Sequence, residues 1–137
     1  MEAFRIWDGG TLLTTSNSKK RVLFDTSFLI NSLGMRSDLD FMIESLVGPY
    51  KGYVPEPVIR ELKRFPKDVS VPALLLASRY AVIPSEDAYA DNFMIREARL
   101  GKWILASDDL SLSRAVRTYG IAVISHAGRK LRYSAPI

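Results

Sequence analysis

Asp25, Glu61, Asp91, Asp108 and Asp109 stand where this sequence should carry apolar or neutral residues. Asp25 closes the apolar run Val22-Leu23-Phe24, and Asp108 and Asp109 follow Ile104-Leu105-Ala106. At 100° per residue, Glu61 falls about 60° from Val58 and borders the stripe of Val58, Leu62 and Phe65. Asp91 falls in the middle of the stripe formed by Met94, Ile95 and Ala98. Burying several carboxylates together is unfavourable unless protons or a cation compensate. With no cysteine and one histidine in the chain, these donors suit a hard, oxygen-preferring ion such as Mg²⁺ or Mn²⁺. The chemistry that follows is metal-assisted hydrolysis of a phosphodiester, in which the ion lowers the pKa of the attacking water and neutralises charge on the phosphate oxygens. Each acid also has a purely structural reading. An aspartate after a strand is a common turn residue or helix N-cap, and Asp91 at a helix N-terminus gains from the helix dipole. Glu56, Glu86 and Asp87 sit in first turns without conflict and read as ordinary dipole-complementing residues.

The elements that must position these residues alternate along the chain. Candidate strands are Arg21 to Asp25, Gly52 to Pro55, Ala81 to Pro84, Lys102 to Ala106 and Ile121 to Ser125. Between them, apolar residues recur at three and four: Leu39, Met42, Ile43 and Leu46, then Val58, Leu62 and Phe65, then Leu112, Ala115, Val116 and Tyr119. The pattern predicts an α/β/α sandwich around a central, mainly parallel five-stranded sheet, since parallel neighbours need crossover connections. In such a sheet, ligands bind outside the carboxyl ends of the strands, where Asp25 and the Asp108-Asp109 pair are predicted to lie. Pro57 and Pro72 suit first-turn positions, with Ser70 as a cap before the second, and Gly101 and Gly120 end helical runs. A helix from Pro72 to Tyr80 carries Leu74, Leu75 and Leu76 in a row, which predicts burial on two sides, and a homodimer contact would supply the second. Residues 1–20 form an N-terminal extension. Phe4 to Trp7 and Thr11 to Thr14 flank Asp8-Gly9-Gly10 as a β-hairpin would, and a polar linker follows.

Composition bounds the rest. A chain of 137 residues, 47% hydrophobic and 25% charged, fits one globular domain, assigned here to residues 21–137. A formal net charge of +4 and a pI near 9.5 favour a polyanionic partner. The absence of cysteine excludes a disulfide framework and thiolate metal sites. No apolar run is long enough to span a membrane and no secretory signal is visible, so a cytoplasmic protein is expected.

Four stretches together resemble the PIN-domain nucleases. They are Val22 to Ile30 with Asp25-Thr26-Ser27, then Val54-Pro55 with Val58-Ile59-Arg60-Glu61-Leu62, then Ala90-Asp91 with Ile95 and Ala98, and finally Ile104 to Asp109 with Leu112 and Gly120 to Ile124. The resemblance covers roughly residues 21 to 133. It implies a metal-dependent endoribonuclease whose acidic quartet is Asp25, Glu61, Asp91 and Asp109. Asp25, Asp91 and Asp109 would be the main metal ligands, with Asp108 a further ligand standing where relatives often carry asparagine. Ser27, with Thr26 and Ser107, would offer hydroxyls to a phosphate oxygen or to the ion's surroundings. Asp25-Thr26-Ser27 with Leu29-Ile30 is similar to the VapC-type toxins, which act beside an antitoxin. The match from Ser107 to Ile124 and the ending Gly128-Arg129-Lys130-Leu131-Arg132 resemble the ribosomal-RNA-processing branch more closely, which favours a maturation or turnover role with RNA-processing partners. A rival from another class is a non-catalytic RNA-binding scaffold.

RNA contacts are expected from Arg114 and Arg117, which lie away from the apolar stripe of the last long helix, and from Arg129 and Lys130. Lys63, Arg64, Lys67, Arg96, Arg99 and Lys102 also cluster at helix ends, where solvation and the helix dipole explain them. Tyr50, Tyr53 and Trp103 have stacking surfaces, although packing accounts for them equally well. His126 reads as a solvated loop residue, with no support for a histidine-based triad.

Overall fold

The structure, a computed structural model, describes residues 19–35 and 37–137. The expected N-terminal hairpin lies outside the described residues. The core is a six-stranded sheet, with β1 Lys20–Phe24, β2 Tyr50–Pro55, β3 Ala81–Ile83, β4 Ile104–Ala106, β5 Ala122–Ala127 and β6 Lys130–Ser134. Its order is β3-β2-β1-β4-β5-β6, parallel throughout except for the antiparallel β5–β6 pair. The helices are α1 Thr26–Asn31, α2 Leu39–Val47, α3 Glu56–Leu62, α4 Lys67–Ala77, α5 Ala90–Leu100 and α6 Leu110–Thr118.

Val22, Leu23 and Phe24 of β1 are buried in succession, as are Leu105 and Ala106 of β4. Alternate side chains point to opposite faces of a strand, so consecutive burial means that helices cover both faces here. Phe24 stacks on Tyr80 with ring centroids 4.4 Å apart and also meets Phe28 and Tyr50. Gly52 is what permits that stack: a Cβ at this position would come within 2.4 Å of the Tyr80 ring and 2.7 Å of Phe24. At the other end of the core, α5 terminates at Gly101 with φ +76, followed by Lys102 with φ +72.

The five strands expected are present, and a sixth joins them. The ending Lys130 to Ser134 pairs with β5 as an edge strand, Ser125 opposite Arg132 and Val123 opposite Ser134. Its Lys130 and Arg132 give it the charged character that edge strands carry, which disguised it as a basic tail. A second correction concerns α4. It begins at Lys67 after Pro66, so Pro72 lies inside the helix and Ser70 is buried in it without capping it. Pro72 is tolerated because the carbonyl it leaves unpaired, that of Asp68, belongs to the exposed first turn. Of the leucine run, Leu76 is buried and Leu75 faces solvent. No described helix is long and apolar enough to cross a membrane.

Candidate active site

The connections from β1 and β4 diverge, one leading to β2 and the other to β5 on the opposite side of the sheet. That divergence opens a crevice at the carboxyl ends of β1 and β4, and both strands deliver carboxylates to it. Asp25 leaves β1 as the residue before α1, its backbone N–H still donating to the Ala106 carbonyl at 2.9 Å. Its side chain is only 5% exposed. Oδ2 accepts hydrogen bonds from the Ser107 hydroxyl at 2.8 Å and the Ser27 hydroxyl at 3.3 Å. Burial raises the Asp25 pKa to about 6, against the hydrogen bonds from Ser107 and the Thr26 backbone, while the charges of Asp91 and Glu61 push it further up.

Glu61 is held from two directions. Thr26 Oγ1, in the first turn of α1, donates to its Oε1 at 2.5 Å, and the backbone N–H of Ala90, at the start of α5, donates to its Oε2 at 3.1 Å. One carboxylate thereby ties α3 to the N-termini of α1 and α5, the two helices whose starts carry Asp25, as N-cap, and Asp91, in the first turn. Asp91 itself occupies the first turn of α5 and is exposed, with Ala90, Phe93, Met94 and Ala98 forming the buried face. The central place in the stripe that the spacing gave it is therefore corrected: it sits at the rim of the crevice. Its pKa is nonetheless raised, by partial desolvation first and then by the charges of Asp109 and Glu61.

The turn after β4 supplies the remaining groups. Ser107 is fully buried; its hydroxyl donates to Asp25 and accepts from the Asp109 backbone N–H at 3.1 Å. Asp109 caps α6, its Oδ1 accepting from the Leu112 N–H at 3.0 Å, which leaves Oδ2 clear of the capping bond. Asp108 turns the other way. Its Oδ1 accepts from the His126 backbone N–H at 2.6 Å, and its Oδ2 meets His126 Nδ1 at 2.7 Å and Asn31 Nδ2 at 2.9 Å. Burial opposes its ionisation, but the His126 and Asn31 bonds and the nearby His126 ring prevail and hold its pKa below the ordinary value. The structure thus sets Asp25, Glu61, Asp91 and Asp109 close enough at this end of the sheet for their charges to act on one another, and commits Asp108 to a separate pair.

His126 corrects another expectation. It lies in β5, not in a solvated loop, with its ring 4.5 Å from Phe28 and Nε2 at 3.2 Å from the Ser32 hydroxyl. The Ser32–His126–Asp108 arrangement has the connectivity of a nucleophile triad, but Ser32 is 0% exposed and donates to the Phe28 carbonyl at 2.7 Å, so it cannot meet a substrate. No local sequence signal announces this pairing, since Asp108 and His126 meet only through the register of β4 and β5.

The hydroxyls assigned by sequence are engaged within the protein: Thr26 with Glu61, Ser27 with Asp25 and with the Asp108 N–H at 3.1 Å, Ser107 as above. Arg114 and Arg117 flank a cleft on the α6 side of the crevice, whereas Arg129 and Lys130 are exposed on the β5–β6 hairpin and do not line it. The acidic crevice fits a hard divalent ion in donor chemistry. All its ligand atoms are oxygens, and among the described residues no lysine or arginine pairs with Asp25, Glu61, Asp91 or Asp109. In the arrangement described, however, no three His, Asp or Glu side chains converge closely enough to hold an ion.

Neither a protein-family model nor a curated protein matches this sequence. Among solved structures, the chain is similar to the PIN domain endonuclease Utp24, with a TM-score of 0.66 and 21% identity over 82% of this chain and 90% of that one. A likeness at that identity is one of fold, and the six-stranded, mostly parallel α/β architecture of this chain is similar to that of a PIN domain.

Proposed function

We propose that the chain is a divalent-metal-dependent endoribonuclease acting in the maturation or turnover of ribosomal or other RNA. The observation that carries this reading is the Asp25 carboxylate, nearly buried at the switch point of the sheet, its pKa raised by that burial and in smaller part by Asp91 and Glu61, with no described cation beside it. A carboxylate in that setting gains from a divalent ion what it lacks from the protein. The fold shared with a PIN domain endonuclease adds support by analogy.

Asp25, Asp91 and Asp109 would hold the ion, which when bound would activate water and stabilise negative charge on the phosphate. Asp25 is presented rigidly by Ser107 and Ser27. Asp109 keeps Oδ2 clear of its capping bond, and Asp91 has the freedom of an exposed side chain to complete the set. Glu61 acts as a positioning residue, because its two oxygens already fix the helix starts that present Asp25 and Asp91.

One observation favours a second reading: the absence, among the described residues, of three converged ligands suits an RNA-binding scaffold without chemistry. Incubating wild type and Asp25→Asn with a pool of folded and single-stranded RNAs in Mn²⁺, Mg²⁺ or EDTA separates the two. Metal-dependent products that disappear in the variant are expected. A folded wild type that yields no product with either metal, yet retains RNA equally well in EDTA, would turn the assignment to the scaffold.

A further inference from the structure

The α6 residues Ser113, Arg114 and Arg117 recur at helical spacing and share one face. On the adjoining hairpin, Ser125 of β5 stands opposite Arg132 of β6, and Ser134 lies two residues on, on the same face of the strand. These two periodicities bring the six side chains around a cleft of about 540 Å³. Ser107 and Asp108 line its inner end, and Ser107 donates to Asp25, so the cleft opens directly beside the acidic crevice.

Its charge is uncompensated. Arg60, Arg79 and Arg96 elsewhere on the surface pair with carboxylates, and Arg99 with Tyr119. Arg114 and Arg132 have no partner among the described residues, and Arg117 spends only Nε, on the Ala135 carbonyl at 2.8 Å. Asp108, an acid at the inner end of the cleft, is already occupied by His126 and Asn31. Arginines left unpaired around a hydroxyl-rich concavity are groups arranged to receive an anion with several oxygens.

We propose that this cleft is a second anion subsite, holding a backbone phosphate of the nucleic-acid strand away from the one being cleaved. Arg114, Arg117 and Arg132 neutralise it, and the serine hydroxyls fix its place. The identity of the strand rests on the nuclease reading; the anion site rests on the cleft alone. It follows that the cleft governs affinity and the position of the strand, while the carboxylates govern cleavage.

The test is fluorescence anisotropy of a labelled single-stranded RNA oligonucleotide with the full chain in EDTA, over a series of salt concentrations. Arg114→Gln with Arg132→Gln is expected to weaken binding about tenfold or more at low salt and to lower the slope of log K against log salt by about 0.7, the value for one phosphate no longer neutralised. Ser113→Glu, which keeps a good helix former at this position, places a carboxylate beside Arg114 and Arg117 and is expected to weaken binding similarly. Lys20→Gln with Lys102→Gln removes charge at the amino ends of β1 and β4, the opposite end of the sheet, and should change affinity less than twofold. Wild-type affinity in both cleft variants, or an equal loss in the lysine pair, overturns the subsite. RNA bound through the cleft but never cleaved would sink the nuclease reading alone. Cleavage with unchanged affinity in the cleft variants would sink the subsite alone.

Discussion

Ionising Asp25 sets burial and the charges of Asp91 and Glu61 against the hydrogen bonds from Ser107 and the Thr26 backbone, and these opposing influences leave its pKa at about 6. The native state therefore holds this proton more tightly than the unfolded chain does. Its contribution to stability is full below the unfolded pKa near 4 and is lost as pH rises through about 6. In metal-free buffer, Asp25→Asn should thus match wild type near pH 4 and exceed it by up to about 3 kcal/mol at pH 8, read from urea unfolding at each pH. A variant that is less stable at both values would make Asp25 a structural residue. Glu61→Gln offers one carbonyl where Thr26 and the Ala90 N–H now share a carboxylate, so a loss of about 1–2 kcal/mol is expected, together with reduced cleavage. At this scale, the sequence was most informative where an acid broke an apolar pattern, as at Asp25. It was blind to Asp108 and His126, whose partnership is made by strand register across 18 positions.

The elements carry constraints that single side chains do not. Asp109 serves α6 as its N-cap, so the capping and site roles can be separated by choice of substitution. Asp109→Ala should destabilise by about 1 kcal/mol, whereas Asp109→Asn keeps a capping oxygen and should unfold close to wild type. If both abolish cleavage, the carboxylate acts in the site; if Asn retains it, Asp109 is only a cap. Gly52 in β2 tests the packing beneath the sheet. Gly52→Ala drives a methyl into the Tyr80 ring stacked on Phe24, and a loss of about 1–3 kcal/mol in thermal or urea unfolding is expected. The five predicted strands were legible because each is a short apolar run, and all but the last lead into a helix. β6 was not, since an edge strand of lysine, arginine and tyrosine shows no buried face, and α4 was misplaced because Pro72 occupies a helix interior where proline usually marks a start.

Taken as one charge distribution, the molecule sets a pocket of acids within a chain whose net formal charge is +4, so the surface outside the pocket is more basic than that total. The two halves of that arrangement have opposite needs: the basic cleft attracts a polyanion, and the acidic crevice would repel it unless a cation intervened. This makes the divalent ion a condition of bringing the scissile phosphate up to the carboxylates as well as of chemistry, while the cleft binds the strand without it, and it gives a prediction independent of turnover. With an affinity in the millimolar range, 10 mM Mg²⁺ or Mn²⁺ should stabilise wild type by about 1.4 kcal/mol, a rise of about 5 °C in Tm at pH 7.5. The rise should vanish in Asp25→Asn. It should also shrink by pH 5, where the proton on Asp25, with its pKa of about 6, competes with the ion. Ca²⁺ would report general screening of the acidic crevice, so an equal rise with Ca²⁺ in the variant would mean that the ions act on the surface at large. A wild type whose Tm is insensitive to every divalent ion would leave the four acids as a strained but purely structural cluster. The fold would then be retained for RNA binding alone.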